Sequence, residues 1–230
     1  MLSALAAAAL LAGCRIPDDT AGTLDRVQGG SMRVGVTDSD PWVLLDADGR
    51  PTGGVEVALL RHFARELDSR VEWIDGPEEE LVAALKEGSL DLIAGGLTNE
   101  SRWNKDIALT RPYAESRTVV GVPPGSSVPG DLDGVPVAAE LGSEAEGLLE
   151  SKTAADVRAV TDLATARGEP AAAHDYALDD LGLDETGELK KDKHVMAVRL
   201  GENAFLVRLE RFLLNREDRI ERLVRERGRP

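Results

Sequence analysis

The chain reads as an α/β protein of two small lobes facing each other across a cleft. Three observations predict this. From Met32 onward, short apolar runs alternate with stretches of helical spacing; residues 123–136, "PPGSSVPGDLDGVP", then break the alternation; and beyond them it starts again.

The first unit opens with "MRVGV" as a strand, followed by an irregular excursion with turn chemistry at Asp48-Gly49 and Arg50-Pro51. Val55, Leu59, Leu60, Phe63, Ala64 and Leu67 recur at helical spacing and predict a helix over 55–68 with one buried face. "RVEWI" is a second strand, "EEELVAALKEG" a helix closed by Gly88, and "LDLIA" a third strand. This order implies parallel pairing through right-handed crossovers, and such sheets bind ligands beyond the carboxyl ends of their strands. "GGLTNESRW", residues 95–103, falls at that position and offers bare backbone groups beside a guanidinium. "SRTVVGV" is a further strand leading to the break.

In the second unit, "VPVAA", "DVRAV" and "PAAA" read as strands, and "GSEAEGLLES", "DLATARG" and "DYALDDLGL" as helices. "KHVMAVRL", residues 193–200, reads as a strand running back. Two amphipathic helices close the chain, the first with Phe205, Leu206, Leu209, Phe212 and Leu213 on one face, the second with only Ile220, Leu223 and Val224. Two α/β units joined by a segment out and a strand back leave a cleft between them, where small molecules bind.

At 230 residues with 42% apolar content, the chain can build a sizeable core. Its formal charge of −15 argues against nucleic acid or an anionic membrane surface as the main partner, since either needs a basic face. Residues 1–14, "MLSALAAAALLAGC", are too short an apolar run to span a bilayer but match the central region of a secretory signal. The end of that run, Leu11 to Cys14, resembles the lipobox of bacterial lipoproteins, although no Lys or Arg precedes the run. Cys14 is the sole cysteine, so no internal disulfide forms and the thiol is the expected lipid anchor. Residues 15–31 then read as a tether from membrane to folded domain.

From about Met32 to Arg225 the chain resembles the family 3 extracellular solute-binding proteins, receptors of ABC importers for polar amino acids and related compounds. The resemblance rests on "VGVTDSDPW", "GGVEVALLRHFARELD", "LKEGSLDLIAGGLT", "TRPYAESRTVVGV", "DLDGVPVAAELGSEAEGLL" and "AAAHDYAL", in that order. It implies a type II periplasmic-binding-protein-like fold with two crossing segments, lobe one spanning 32–119 and 194–230 and lobe two 120–193. It also implies an exported monomer held by lipid at the outer face of a bacterial cell membrane, passing an amino acid to an ABC permease, with neither cofactor nor metal.

Carried over residue by residue, the resemblance assigns Gly96 and Thr98 to a ligand ammonium and Arg102 to its carboxylate. Gly142 and Ser143 at a helix start would also face the carboxylate, Asp175 would pair with the ammonium, and Trp42 and Asp38 would wall the side-chain end. This sequence departs from the family in one place: Arg102 follows Thr98 by four residues where five is usual, and Trp103 comes next, which leaves Arg111 of "TRPY", or no arginine at all, as the alternative.

His62, His174 and His194 lack a second ligand at metal spacing. No Walker loop, HExxH or GxSxG occurs. The competing class is an enzyme, a dehydratase on the same fold with His174 and Asp175 as a proton-transfer pair. A sensor or accessory lipoprotein without a transport role is the third reading.

Overall fold

The computed structural model describes residues 18–128 and 130–226. The expected signal segment and Cys14 lie outside the described residues.

The chain forms α1 (Thr23–Val27), β1 (Ser31–Val36), β2 (Leu44–Leu45), β3 (Pro51–Gly53), α2 (Val55–Glu66), β4 (Arg70–Asp75), α3 (Glu78–Glu87), β5 (Leu92–Ala94) and β6 (Ala108–Leu109). It continues with β7 (Ala114–Val122), β8 (Pro136–Glu140), α4 (Glu144–Lys152), β9 (Asp156–Val160), β10 (Ala171–His174), α5 (Leu178–Leu181), β11 (Asp184–His194), β12 (Ala197–Val198), α6 (Asn203–Leu214) and α7 (Glu217–Arg225).

Two five-stranded sheets result, ordered β4-β1-β5-β12-β6 and β11-β7-β10-β8-β9. β1 pairs parallel with β4 and β5, and β8 parallel with β9 and β10, as the alternation of strand and helix requires. β12 enters the first sheet antiparallel, and β7 lies antiparallel between β10 and β11 in the second. The chain thus crosses between sheets twice, at 110–113 and at 195–196. The two crossings are tied together: Tyr113 N–H donates to the His194 carbonyl at 3.0 Å and Thr110 N–H to the Met196 carbonyl at 2.9 Å.

The first sheet is covered by α2 and α6, whose apolar faces meet through Phe63, with ring centroids 5.0 Å from Phe212 and 6.0 Å from Phe205. All three rings are buried, each stabilising by about 1.5–3 kcal/mol relative to exposure. Gly54 starts α2 with φ 109°, and a Cβ there would sit 2.4 Å from the Trp42 carbonyl oxygen, so only glycine fits.

Several segments differ from the sequence expectation. Residues 18–28 of the expected tether are docked on the first lobe: Val27 is buried, and Ala21 and Thr23 N–H donate to the Glu202 carboxylate at 3.0 and 3.1 Å. The second sheet begins at Ala114, ahead of the boundary expected at 120, because β7 pairs with β11 along its whole length. β11, "DETGELKKDKH", is a strand the sequence hides, since an edge strand rich in charge shows little apolar alternation. "DLATARG" and the start of "DYALDDLGL" form 3₁₀ turns rather than full helices. Among the described residues, no helix is long and apolar enough to cross a membrane.

Candidate functional site

A cavity of about 250 Å³ opens between the lobes at the carboxyl ends of their parallel strands. Asp40, from the loop after β1, faces it from the first lobe; Thr118, Glu140, Ser143, Glu144 and His174 face it from the second. Strand parity builds the second-lobe side. Thr118 is directly opposite both His174 on β10 and Lys190 on β11, so all three side chains share one face. Two residues along, Ser116 opposes Asp192 on that same face.

Lys190 Nζ reaches Glu144 at 2.5 Å and Asp192 at 2.9 Å. Partial burial pulls its pKa down, but the bonds to Glu144 and Asp192 outweigh this and raise it above the ordinary lysine value. Thr118 is 1% exposed and its Oγ1 has no hydrogen-bond partner. Nδ1 of His174 is likewise buried and unpartnered, and burial lowers the pKa of that ring, which keeps it neutral.

Behind the cavity lies a tightly bonded layer. The Trp42 ring packs against His194 at a tilt of 31° with centroids 3.8 Å apart and meets Tyr113 edge-on at 6.1 Å. His194 Nε2 shares a 2.8 Å hydrogen bond with Ser116 Oγ, and burial pushes the His194 pKa down to about 4. Glu56, fully buried at 0% exposure, accepts hydrogen bonds from Tyr113 Oη and from Gly96 N–H at 3.1 Å. Burial outweighs those bonds and raises its pKa to about 7. The loop after β5 is thereby stitched to the hinge: Thr98 bridges to His194, and Val195 N–H donates to the Leu97 carbonyl at 2.8 Å.

The residues expected to hold ligand do not all gather here. Ser143 lines the cavity, but its Oγ already accepts Glu146 N–H at 3.2 Å as the cap of α4. Gly142 N–H is held by the Glu146 carboxylate at 2.6 Å. Gly96 spends its N–H on Glu56, and a Cβ there would meet Ser39 Oγ at 2.6 Å, so this glycine is needed for packing. Thr98 is half-buried at the joint between loop and hinge. Trp42 is buried beneath His194 and forms no open wall. Asp38 is exposed and binds Leu45 N–H at 2.9 Å, fixing the excursion after β1.

Arg102 lies away from the cavity, with its side chain 69% exposed. The cause is Trp103, which packs against the cluster around Leu81 and Ile107 and donates Nε1–H to Glu78 at 2.6 Å, turning the loop onto α3. Arg102 follows it, stacked over the indole at 4.5 Å. Arg111, the alternative, is also exposed and stands 3.9 Å from Glu210. Asp175 pairs with Arg117, Nε to Oδ2 at 3.2 Å, and Arg117 also grips Glu185. Arg117 and Thr118 are consecutive on β7, so this pair lies on the opposite face of the strand. There it borders a larger groove of about 710 Å³ beside α7. His174 and Asp175 therefore diverge and do not form a proton-transfer pair.

Thr118, Glu144, Lys190, Asp192 and His194 were not singled out as site residues from sequence. The signal that locates them is the pairing register of the two hinge strands, since alternate positions 190, 192 and 194 face inward together.

The sequence pattern of bacterial extracellular solute-binding proteins, family 3, matches residues 32–223. Membrane-bound lytic murein transglycosylase F of Vibrio cholerae is 34% identical over 106 residues, covering 45% of this chain and 20% of that protein. A probable histidine-binding protein of Campylobacter jejuni is 24% identical over 113 residues, 48% of this chain and 44% of that one. The chain thus spans less than half the length of these curated relatives. Among solved structures, an ancestral cationic amino acid solute-binding protein superposes with TM-score 0.72 at 19% identity, covering 90% of this chain and 100% of that one. The unliganded, open L-cystine solute receptor of Neisseria gonorrhoeae gives 0.66 at 20% identity, covering 86% and 92%. These superpositions establish the type II periplasmic-binding-protein fold, two α/β lobes with two crossing segments. With the match along residues 32–223, the chain belongs to the bacterial extracellular solute-binding proteins, family 3.

Proposed function

We propose that this protein captures a small polar solute between its lobes and presents it to an importer in the membrane. The observation that carries the reading is the interlobe cavity, set at the carboxyl ends of both parallel strand groups and floored by the unpartnered Thr118 hydroxyl. Two short crossings, at 110–113 and 195–196, are the hinge about which the lobes close. Cys14 in its lipobox-like context anchors the protein at the outer face, and an ABC permease receives the cargo. Solved structures named as a cationic amino acid solute-binding protein and an L-cystine receptor, and a binding component of an ABC transporter from Wolinella succinogenes complexed with lysine, support a small nitrogenous solute.

The enzyme reading draws on a structural neighbour described as a precursor of cyclohexadienyl dehydratase. The divergence of His174 and Asp175 weighs against it here. The murein transglycosylase similarity covers too little of those enzymes to carry their activity across.

The test is a thermal-shift screen of protein refolded from denaturant, against amino acids, amines and small carboxylates. Ligand binding to the native state raises the melting temperature by mass action, and the solute is expected back chemically unchanged. No shift with any member would count against capture; a chemically altered solute would favour the enzyme.

A further inference from the structure

We infer that the cleft is built for a primary amine or diamine that is recognised through its ammonium alone, without a seat for an α-carboxylate. The inference rests on the solute-capture reading and narrows it.

The cavity is lined by acceptors. Asp40 and Glu140 contribute carboxylates from opposite lobes, and Glu144 adds a third at the start of α4. Deeper in, the Thr118 hydroxyl and the neutral His174 Nδ1 are buried with no partner, and each can accept a hydrogen bond. An ammonium brings three donors and no acceptor, which suits this set. The protein already demonstrates the fit with its own chain, since the Lys190 ammonium sits between Glu144 and Asp192.

The start of α4 is set against a carboxylate. At the α4 N-terminus the Gly142 N–H is occupied by Glu146, the Ser143 hydroxyl caps the helix, and Glu144 and Glu146 place negative charge in its first turn. Among the described residues no arginine lines the cavity. Arg102 and Arg111 are exposed and do not line the cavity, and Arg117 is consumed by Asp175 and Glu185 on the other face of β7. Lys190 is the remaining cation, and Glu144 and Asp192 already share it.

The experiment is calorimetric titration of the purified protein with two matched pairs, cadaverine against lysine and agmatine against arginine, and with alanine and glutamate. Each pair differs only by the α-carboxylate. The expected result is that at least one decarboxylated member binds about ten-fold or more tightly than its amino acid, a gap of about 1.4 kcal/mol. Glu144→Gln and Thr118→Val, checked for folding by circular dichroism, should each weaken that amine by about ten-fold, as for one lost charge-assisted hydrogen bond. Lys190→Met should tighten amine binding, because the ammonium that competes for Glu144 and Asp192 is gone. Amino acids binding as tightly as the amines, or Lys190→Met abolishing lysine binding, would overturn the inference while leaving solute capture intact. Binding by none of the six would overturn the inference and leave solute capture to be decided by the wider thermal-shift panel.

Discussion

The residue with the most consequence for behaviour in solution is Glu56. It is buried beneath the loop that borders the cleft, joining Gly96 to Tyr113. Its folded pKa of about 7 exceeds the ordinary 4.5, so the native state holds its proton more firmly than the unfolded chain. Stability contributed by the neutral form is therefore fully present below pH 4.5 and is lost as pH rises through 7, by about 3 kcal/mol. His194 acts in the opposite sense. Its folded pKa of about 4 lies below 6.5, so stability is lost as pH falls between those values. Glu56→Gln preserves both contacts, since its amide oxygen can accept from Gly96 and its NH₂ can donate to Tyr113 Oη. The variant should gain about 3 kcal/mol relative to the parent between pH 4.5 and pH 8, read by urea denaturation across pH. A parent–variant difference that does not change with pH would mean Glu56 is ionised in both states. None of this was legible in the sequence, where Glu56 is one acid at the start of an amphipathic helix; its burial follows from Gly54 and Gly96 bringing two backbones close.

At the scale of elements, the docking of residues 18–28 depends on two acids, Asp19 and Glu202. Asp19 accepts Leu24 N–H of α1 at 2.8 Å and Phe205 N–H of α6 at 2.9 Å. Glu202 accepts Ala21 and Thr23 N–H and is ion-paired with Arg199 at 2.8 Å, which with those bonds holds its pKa below the usual carboxylate range despite burial. Asp19→Ala should cost about 1–3 kcal/mol, as two lost helix-capping bonds, and should release the segment to proteolysis before Ser31. Unchanged stability and resistance would show that the segment is a tether after all. The helices and parallel strands of both lobes were readable because apolar spacing reports burial directly. β11 and the site it builds were not, because a strand that presents Lys190, Asp192 and His194 inward and Lys191 and Lys193 outward carries charge on both faces. The direction of Arg102 is hidden for a related reason: spacing in a loop does not give direction, and here Trp103 decides it.

For the whole molecule, two sheets, a doubled crossing and an acidic interlobe cavity form one arrangement. The net charge of −15 gives the molecule a field that attracts cations and repels anions, in keeping with the carboxylates that line the cavity. A second, larger groove on the other face of β7 beside α7 offers a rival location, so where a solute binds is the decisive question. The most direct measurement is nuclear magnetic resonance shift mapping with whichever member of the solute panel raises the melting temperature most. Saturating shifts are expected, centred on Asp40, Thr118, Ser143 and His174 and spreading to the hinge at Tyr113 and Val195 as the lobes close. Shifts centred instead on Arg117, Asp179 and Glu221, with Asp40, Thr118, Ser143 and His174 unmoved, would contradict binding in the smaller cavity.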